Sequence, residues 1–245
     1  MKIGIGGAAV LAALVLSAAP ALGQDVEDER PASLYVGIQG IYGRPVGEFR
    51  DYVRHGFGLD VGVTFPVARQ SPLALRADGG FIVYGSETRR VCFGGGVGCR
   101  IELDLTTTNS IAFLNIGPQL MLPAGPVRPY INAAIGGSYF GTTSSVEGSN
   151  NDEDFASTTN FDDITFAWNA GGGMLIRLGG SHARPVMLDL GVRYNANGEV
   201  EYLKEGDIVD NPDGSLTITP TRSEANLLTF QIGVSIGASA GREDF

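Results

Sequence analysis

The sequence predicts an all-β fold: an eight-stranded antiparallel up-and-down transmembrane β-barrel, preceded by a cleaved signal peptide. Three observations point there. Eight segments alternate apolar with small or polar residues at period two, the strand signature. Short and long connections between those segments interleave without exception. The chain opens on a basic, then apolar, then small-residue leader.

The leader comes first. Lys2 supplies the positive charge, Ile3 to Ala19 is apolar, and Ala21-Leu22-Gly23 offers small residues for cleavage before Gln24. A retained membrane anchor is the alternative, but Pro20 ends the apolar run too early for a span. No cysteine lies near the cut, which argues against a lipid-modified terminus. The expected organisation is a signal peptide at 1–23, a flexible polar lead-in at 24–31, a barrel at 32–238 and a tail or strand end at 239–245. No later stretch approaches 18 consecutive apolar residues, so a helical span is not expected.

The clearest strand runs from Phe57 to Phe65, with Phe57, Leu59, Val61, Val63 and Phe65 on one face and Gly58, Asp60, Gly62 and Thr64 on the other. Before it, 33–44 sets Leu34, Val36, Ile38 and Tyr42 against Gly37, Gln39 and Gly43. After it, 73–85 sets Leu73, Leu75, Ala77, Phe81 and Val83 against Arg76, Asp78 and Gly80. In 105–121, Ala112, Leu114, Ile116 and Leu120 oppose Asn115, Gly117 and Gln119. In 127–142, Ile131, Ala133, Ile135 and Tyr139 oppose Arg128, Asn132, Gly136 and Ser138. In 163–178, Phe166, Trp168, Met174 and Ile176 oppose Thr165, Asn169, Gly173 and Arg177. In 185–203, Val186, Leu188, Leu190, Val192 and Tyr194 oppose Asp189, Gly191, Arg193 and Asn195. In 224–238, Leu228, Phe230, Ile232, Val234 and Ile236 oppose Thr229, Gln231, Gly233 and Ser235.

Short turns are expected at Ala68–Pro72, Pro123–Pro126 and Gly179–Arg184. Long loops are expected at Pro45–Arg54, Ser86–Asp104, Thr143–Asp162 and Lys204–Arg222. Bacterial barrels have short periplasmic turns and longer outer loops. With the first strand running outward, all four long loops fall outside and both termini are periplasmic. Asn211-Pro212-Asp213-Gly214 reads as a tight turn, and its flanks extend the last two strands into a protruding hairpin.

Alternation alone does not say which face is inside. A soluble lipocalin-like ligand-binding barrel also has eight strands, with its apolar face inward. Here the polar face is Gly, Ser, Thr, Asn and Gln with isolated Asp and Arg, and Lys204 is the one lysine after the leader. Small polar residues suit a narrow lumen. Asp60, Asp78 and Asp189 nearly balance Arg76, Arg128, Arg177 and Arg193, and buried charges are costly unless paired. A lumen ion-pair network of these seven is therefore expected, with Arg favoured for its planar fork. Phe57 and Phe65 lie eight residues apart, roughly 26 Å at ~3.3 Å per residue, close to an apolar membrane band. With Tyr42, Trp168 and Tyr194 they are candidates for an aromatic girdle.

Carried by these features and by Gly-rich strands such as Leu228-Thr229-Phe230-Gln231-Ile232-Gly233-Val234-Ser235-Ile236-Gly237, residues 32–238 resemble the OmpA-like and OmpX-like family of small bacterial outer-membrane barrels. The resemblance implies a place in the outer membrane, contact with its lipids, and insertion by the outer-membrane assembly machinery. The chain departs from the pattern at its end. Ala238 stands where an outward aromatic is usual, Phe245 comes later, and no peptidoglycan-binding domain is expected after the barrel.

Chemistry is sparse. The net charge of −10 disfavours nucleic acid, which needs a basic surface. Cys92 and Cys99 flank a Gly-rich stretch, and an oxidising compartment favours a disulfide between them over a metal site. His55 and His182 sit in no hydrolase or zinc motif, and Ser33, Ser110 and Ser235 have no evident base, so no enzyme is expected. Asp152, Glu153, Asp154, Asp162 and Asp163, and Glu205, Asp207, Asp210 and Asp213, form acidic loops without the spacing of a calcium hand, and read as solvated charge. No cofactor is implied. The expected role is a non-enzymatic barrel acting through its body or outer loops, on a partner the sequence does not name. The alternatives are a narrow channel for ions or small apolar compounds and the soluble ligand-binding barrel.

Overall fold

A computed structural model describes residues 32–68, 71–92, 102–148, 151–204, 207–210 and 216–239. The leader, the lead-in, Cys99, the Asn211–Gly214 turn and residues 240–245 lie outside them.

The barrel wall is made of β1 (Leu34–Pro45), β2 (Gly56–Pro66), β3 (Leu73–Cys92), β4 (Glu102–Met121), β5 (Val127–Gly148), β6 (Asn151–Gly180), β7 (Pro185–Asn197) and β12 (Leu227–Ala238). Each pairs antiparallel with its chain neighbours, and β1 pairs with β12 to close the ring. Closure removes the free edges that an open sheet would expose. Parity follows the sequence: Gln39, Asp60, Arg76, Asp78, Asn115, Asn169, Asp189 and Arg193 are buried, while Ile38, Leu59, Leu75, Leu114, Ile135, Trp168 and Ile232 are exposed. In the Pro123–Pro126 and Gly179–Arg184 turns, Gly125 (φ 111°) and Gly180 (φ 83°) take positive angles that only glycine adopts freely.

Two of the expected long loops are largely strand. β3 and β4 run through most of Ser86–Asp104, and β5 and β6 through nearly all of Thr143–Asp162. Hydrophobic alternation could not register these extensions, because they are held by hydroxyl side chains. Thr88 pairs with Thr106 at 3.0 Å and Thr107 with Ser144 at 2.8 Å. β-Branched and hydroxyl pairs of this kind stabilise cross-strand contacts without burying apolar surface. The last loop, Lys204–Arg222, holds β9 (Ile208–Asp210) and β10 (Leu216–Ile218), and is flanked by β8 (Glu199–Tyr202) and β11 (Thr221–Glu224). β8 pairs with β11 and β9 with β10, the protruding hairpin that the flanking residues suggest. The strand breaks at Gly198, however, and the hairpin forms two small two-stranded sheets rather than an extension of the wall.

The remaining long loop, Pro45–Arg54, contains a helix that sequence periodicity did not suggest: α1 (Phe49–Tyr52). At one turn it is too short to be stable by itself. It is held by Phe49, which is fully buried.

Candidate functional site: the filled bore and the exposed wall

Interior side chains sort into three tiers. At the end where the chain enters, Ala32, Tyr35, Ala74, Met121, Tyr130, Leu175 and Met187 pack together. At the other end, Ile41, Ile82, Ile111, Phe140 and Leu227 from the wall meet Phe49, Val53, Val200, Tyr202 and Ala225 from the overlying segments. Between these apolar layers lie the charges.

The charged tier is assembled from three strands. Arg76 and Asp78 are two apart on β3, and Asp189 and Arg193 four apart on β7, so each pair shares the inward face. Asp60 on β2 lies opposite Gln39 and Gly80. Arg76 Nε donates to Asp78 Oδ1 at 3.0 Å, and Arg193 Nη1 donates to the same oxygen at 3.1 Å. Both guanidiniums approach Asp60 Oδ2 to 3.8 Å, and Arg76 reaches Asp189 Oδ2 at 3.8 Å. Tyr130 donates its hydroxyl to Asp189 Oδ1 at 2.7 Å, and Gln39 Nε2 donates to the other oxygen. Asn115 Nδ2 donates to Asp78 Oδ2 at 3.4 Å. Coulomb attraction is strong where water is excluded, but so is the desolvation cost. Such a network is therefore a device for fixing geometry more than a source of net stability.

Two expected members stand apart. Arg128 Nη1 donates to the Tyr35 hydroxyl at 2.7 Å and its Nε to the Gly125 carbonyl at 3.3 Å. Arg177 Nη2 donates to the Gly180 carbonyl at 2.6 Å. Arg128 is buried and Arg177 half-exposed, and both sit next to turns, where backbone carbonyls accept from them. The central tier thus sets three carboxylates against two guanidiniums; neutral donors from Tyr130, Gln39 and Asn115 serve Asp189 and Asp78, while neither oxygen of the buried Asp60 has a hydrogen-bond partner among the described residues. Tyr130 was missed. Its even position in β5, alongside Arg128 and Asn132, is the signal that places it inward.

Glycines make room for this tier. A Cβ at Gly62 would lie 3.1 Å from the Arg76 guanidinium, and one at Gly171 2.7 Å from Arg193 Cγ. A Cβ at Gly173 or Gly191 would meet the Tyr130 hydroxyl at 2.6 or 2.8 Å. The inward glycines are therefore not merely small; they mark where the large polar side chains lie.

The mouth away from the termini is closed by aromatic edges. Phe49 lies 5.1 Å from Tyr202, 5.6 Å from Tyr84 and 6.5 Å from Phe140. Tyr202 shares a 2.8 Å hydrogen bond with Ser223, and burial pushes its phenol up to about 12. Lys204 lies over the Tyr52 ring at 4.9 Å and pairs with Asp207 at 3.0 Å. Two cavities remain in the bore, about 20 and 10 Å³. Each is room for about one water.

The outer surface is inverted relative to an ordinary globular protein. Leu114 is 70% exposed, Ile131 62% and Ile232 60%. Tyr42, Phe57, Phe65, Trp168 and Tyr194 are all exposed on this face. Tyr42 contacts Phe57 at 5.3 Å and also Phe230 at 6.2 Å, and Trp168 contacts Tyr194 at 5.9 Å. Phe65 stands apart, at the far end of β2.

No reactive constellation is assembled among the described residues. His55 precedes β2 and His182 lies in the β6–β7 turn, at opposite ends of the barrel, and Ser235 is buried in the wall. No group of His, Cys, Asp and Glu among the described residues is placed to hold a metal. Of the acidic loop residues, Asp152, Glu153, Asp154, Asp162 and Asp163 belong to β6 and Asp210 to β9. Asp163 Oδ2 accepts the Glu201 backbone N–H at 2.9 Å, tying β8 to the wall. Glu205 and Asp213 lie outside the described residues. So does Cys99, and with it the expected disulfide.

No protein-family model and no curated protein matches the chain. Several solved structures resemble it in form. Neisserial surface protein A is 13% identical, with a TM-score of 0.46 over 84% of this chain and 97% of that one. Ail, the attachment invasion locus protein of Yersinia pestis, is 10% identical, with a TM-score of 0.38 over 84% and 98%. A major outer membrane protein of Thermus thermophilus is 12% identical, with a TM-score of 0.37 over 83% and 98%. At these values the likeness is one of barrel form and says nothing of a shared role.

Proposed function

We propose that this chain is a bacterial outer-membrane barrel that is closed to passage. Its role is structural or lies in surface contacts made by its outer extensions, without catalysis. One observation carries the reading: the wall turns its aliphatic side chains outward while the carboxylates and guanidiniums are buried inside. In water such a surface would be a large aggregation-prone patch; in lipid it is the required one. On β5 the exposed apolar face runs from Val127 to Tyr139. That is about 40 Å of strand, or roughly 30 Å of height at a ~40° tilt, matching a bilayer core. The aromatic residues named above serve as the interfacial girdle, and both termini face the periplasm.

Two apolar layers with a paired, filled centre support a non-conducting bore. Cell fractionation tests the location: the mature chain should require detergent for release, and its recovery in a detergent-free soluble fraction refutes the reading. Planar-bilayer recording tests the closed bore, because stable unitary currents are incompatible with it. A Cys92–Cys99 disulfide would tie the tip of the β3–β4 hairpin. Mass spectrometry of native envelopes should find the two linked, and free thiols would exclude the bond.

A further inference from the structure

The cations of the charged tier and of the outer strands have partners. Arg76 and Arg193 pair with aspartates, Arg89 with Glu87, Lys204 with Asp207 and Arg222 with Glu199. Among the described residues, Arg44, Arg50 and Arg54 make no ion pair or side-chain hydrogen bond, although Glu48 and Asp51 share their segment. All three belong to the β1–β2 connection or its edge, and all are exposed.

Their position gives this meaning. Arg44 follows Tyr42 by two residues on the outward face of β1, so it leaves the wall on the same side about 7 Å further out. Tyr42 is the centre of the Phe57–Tyr42–Phe230 contact. His55, also exposed, sits edge-on to Phe57 at 5.5 Å. Guanidiniums directly above an interfacial aromatic group lie where lipid headgroups lie. A guanidinium without an acidic partner in a chain of net charge −10 is open to a phosphate, which its planar fork can bind bidentately.

We propose that Arg44 and Arg54, with His55 beside them, form a binding surface for the phosphate headgroups of anionic lipids in the adjoining leaflet. The inference rests on the reading that the wall meets lipid. The surface is continuous with that wall, and its charge is opposite to that of the rest of the chain. Lipid phosphate is therefore the occupant, rather than a free anion.

The test uses the full mature chain in dodecyl maltoside. It is exposed to equal amounts of phosphatidylglycerol and phosphatidylcholine and read by native mass spectrometry. Phosphatidylglycerol should be retained at least about fivefold over phosphatidylcholine, with the preference shrinking as salt rises. R44Q/R54Q should bring the ratio close to one, while R222Q keeps the wild-type ratio. Equal retention of both lipids, an undiminished preference in R44Q/R54Q, or an equal loss in R222Q overturns the proposal. Full displacement by an equal concentration of inorganic phosphate also overturns it, by marking a free-anion site. Insertion into phosphatidylcholine vesicles is scored in parallel. Failure to insert sinks the membrane reading itself, whereas insertion without headgroup preference sinks only this surface.

Discussion

The middle of the bore and the mouth away from the termini fill the same cylinder by opposite means. The middle uses charge: Asp60, Asp78, Asp189, Arg76 and Arg193, all almost fully buried and all borne on wall strands. The mouth uses aromatic edges: Phe49 and Tyr202 come from segments laid over the wall, against Tyr84 and Phe140 from the wall itself. Covalent continuity with the barrel makes the middle part of the global fold. The mouth is held by packing and a few hydrogen bonds, such as that from the Glu201 backbone N–H to Asp163, and should open locally, at a lower free energy. A buried ion network resists partial change because each charge depends on its partner; an aromatic cap loses contacts in proportion to what is removed.

The sharpest way to break this contrast is Arg76→Ala. It leaves Asp78, Asp189 and Asp60 short of a counter-charge, and should cost about 3–5 kcal/mol of global stability, read by urea unfolding in detergent. A cost under about 1 kcal/mol would mean that the tier is not a coupled unit. Phe49→Ala should cost about 3 kcal/mol, but locally. Hydrogen exchange should rise in α1 and β8 while exchange in β7 and β12 stays slow. If the whole barrel loosened equally, mouth and middle would be one unit. Gly191→Ala sharpens the comparison at smaller cost. Its Cβ would press on the Tyr130 hydroxyl, 2.8 Å away, and loosen the hydrogen bond to Asp189, for about 1–3 kcal/mol. Ala at Gly179, where a Cβ would meet nothing within 4 Å, should cost less.

The smallest effect is one of pH. Folding raises the Tyr202 phenol from 10.0 to about 12, so its contribution is complete below pH 10 and is lost as pH climbs toward 12. Exchange at the mouth should quicken across that window, and Tyr202→Phe should weaken the dependence at the cost of one hydrogen bond, about 1 kcal/mol. An unchanged alkaline profile in Tyr202→Phe would remove Tyr202 from that role.

Much of this molecule was legible before any coordinates. Parity along Phe57–Phe65 assigned Asp60 to the inside because neighbouring side chains on a strand must point opposite ways. The same rule placed Arg76, Asp78, Asp189 and Arg193. It failed at Ser86–Cys92, a continuation of β3 where hydroxyl and charged residues carry no apolar alternation. It also failed at Phe49, whose segment has no period at all. The sequence suggested seven charges in one network. Five assemble, because Arg128 and Arg177 sit beside turns whose carbonyls are nearer than any aspartate.

By itself the sequence determined the number of wall strands, their up-and-down order and which side chains face inward, since all three follow from a two-residue repeat and the spacing of turns. Only the tertiary structure decided which inward charges meet and what closes the mouths. Asp78 and Arg193 are 115 positions apart and are brought together by ring closure and strand stagger. The lids depend on chain that returns over the rim, and neither is encoded in any local pattern.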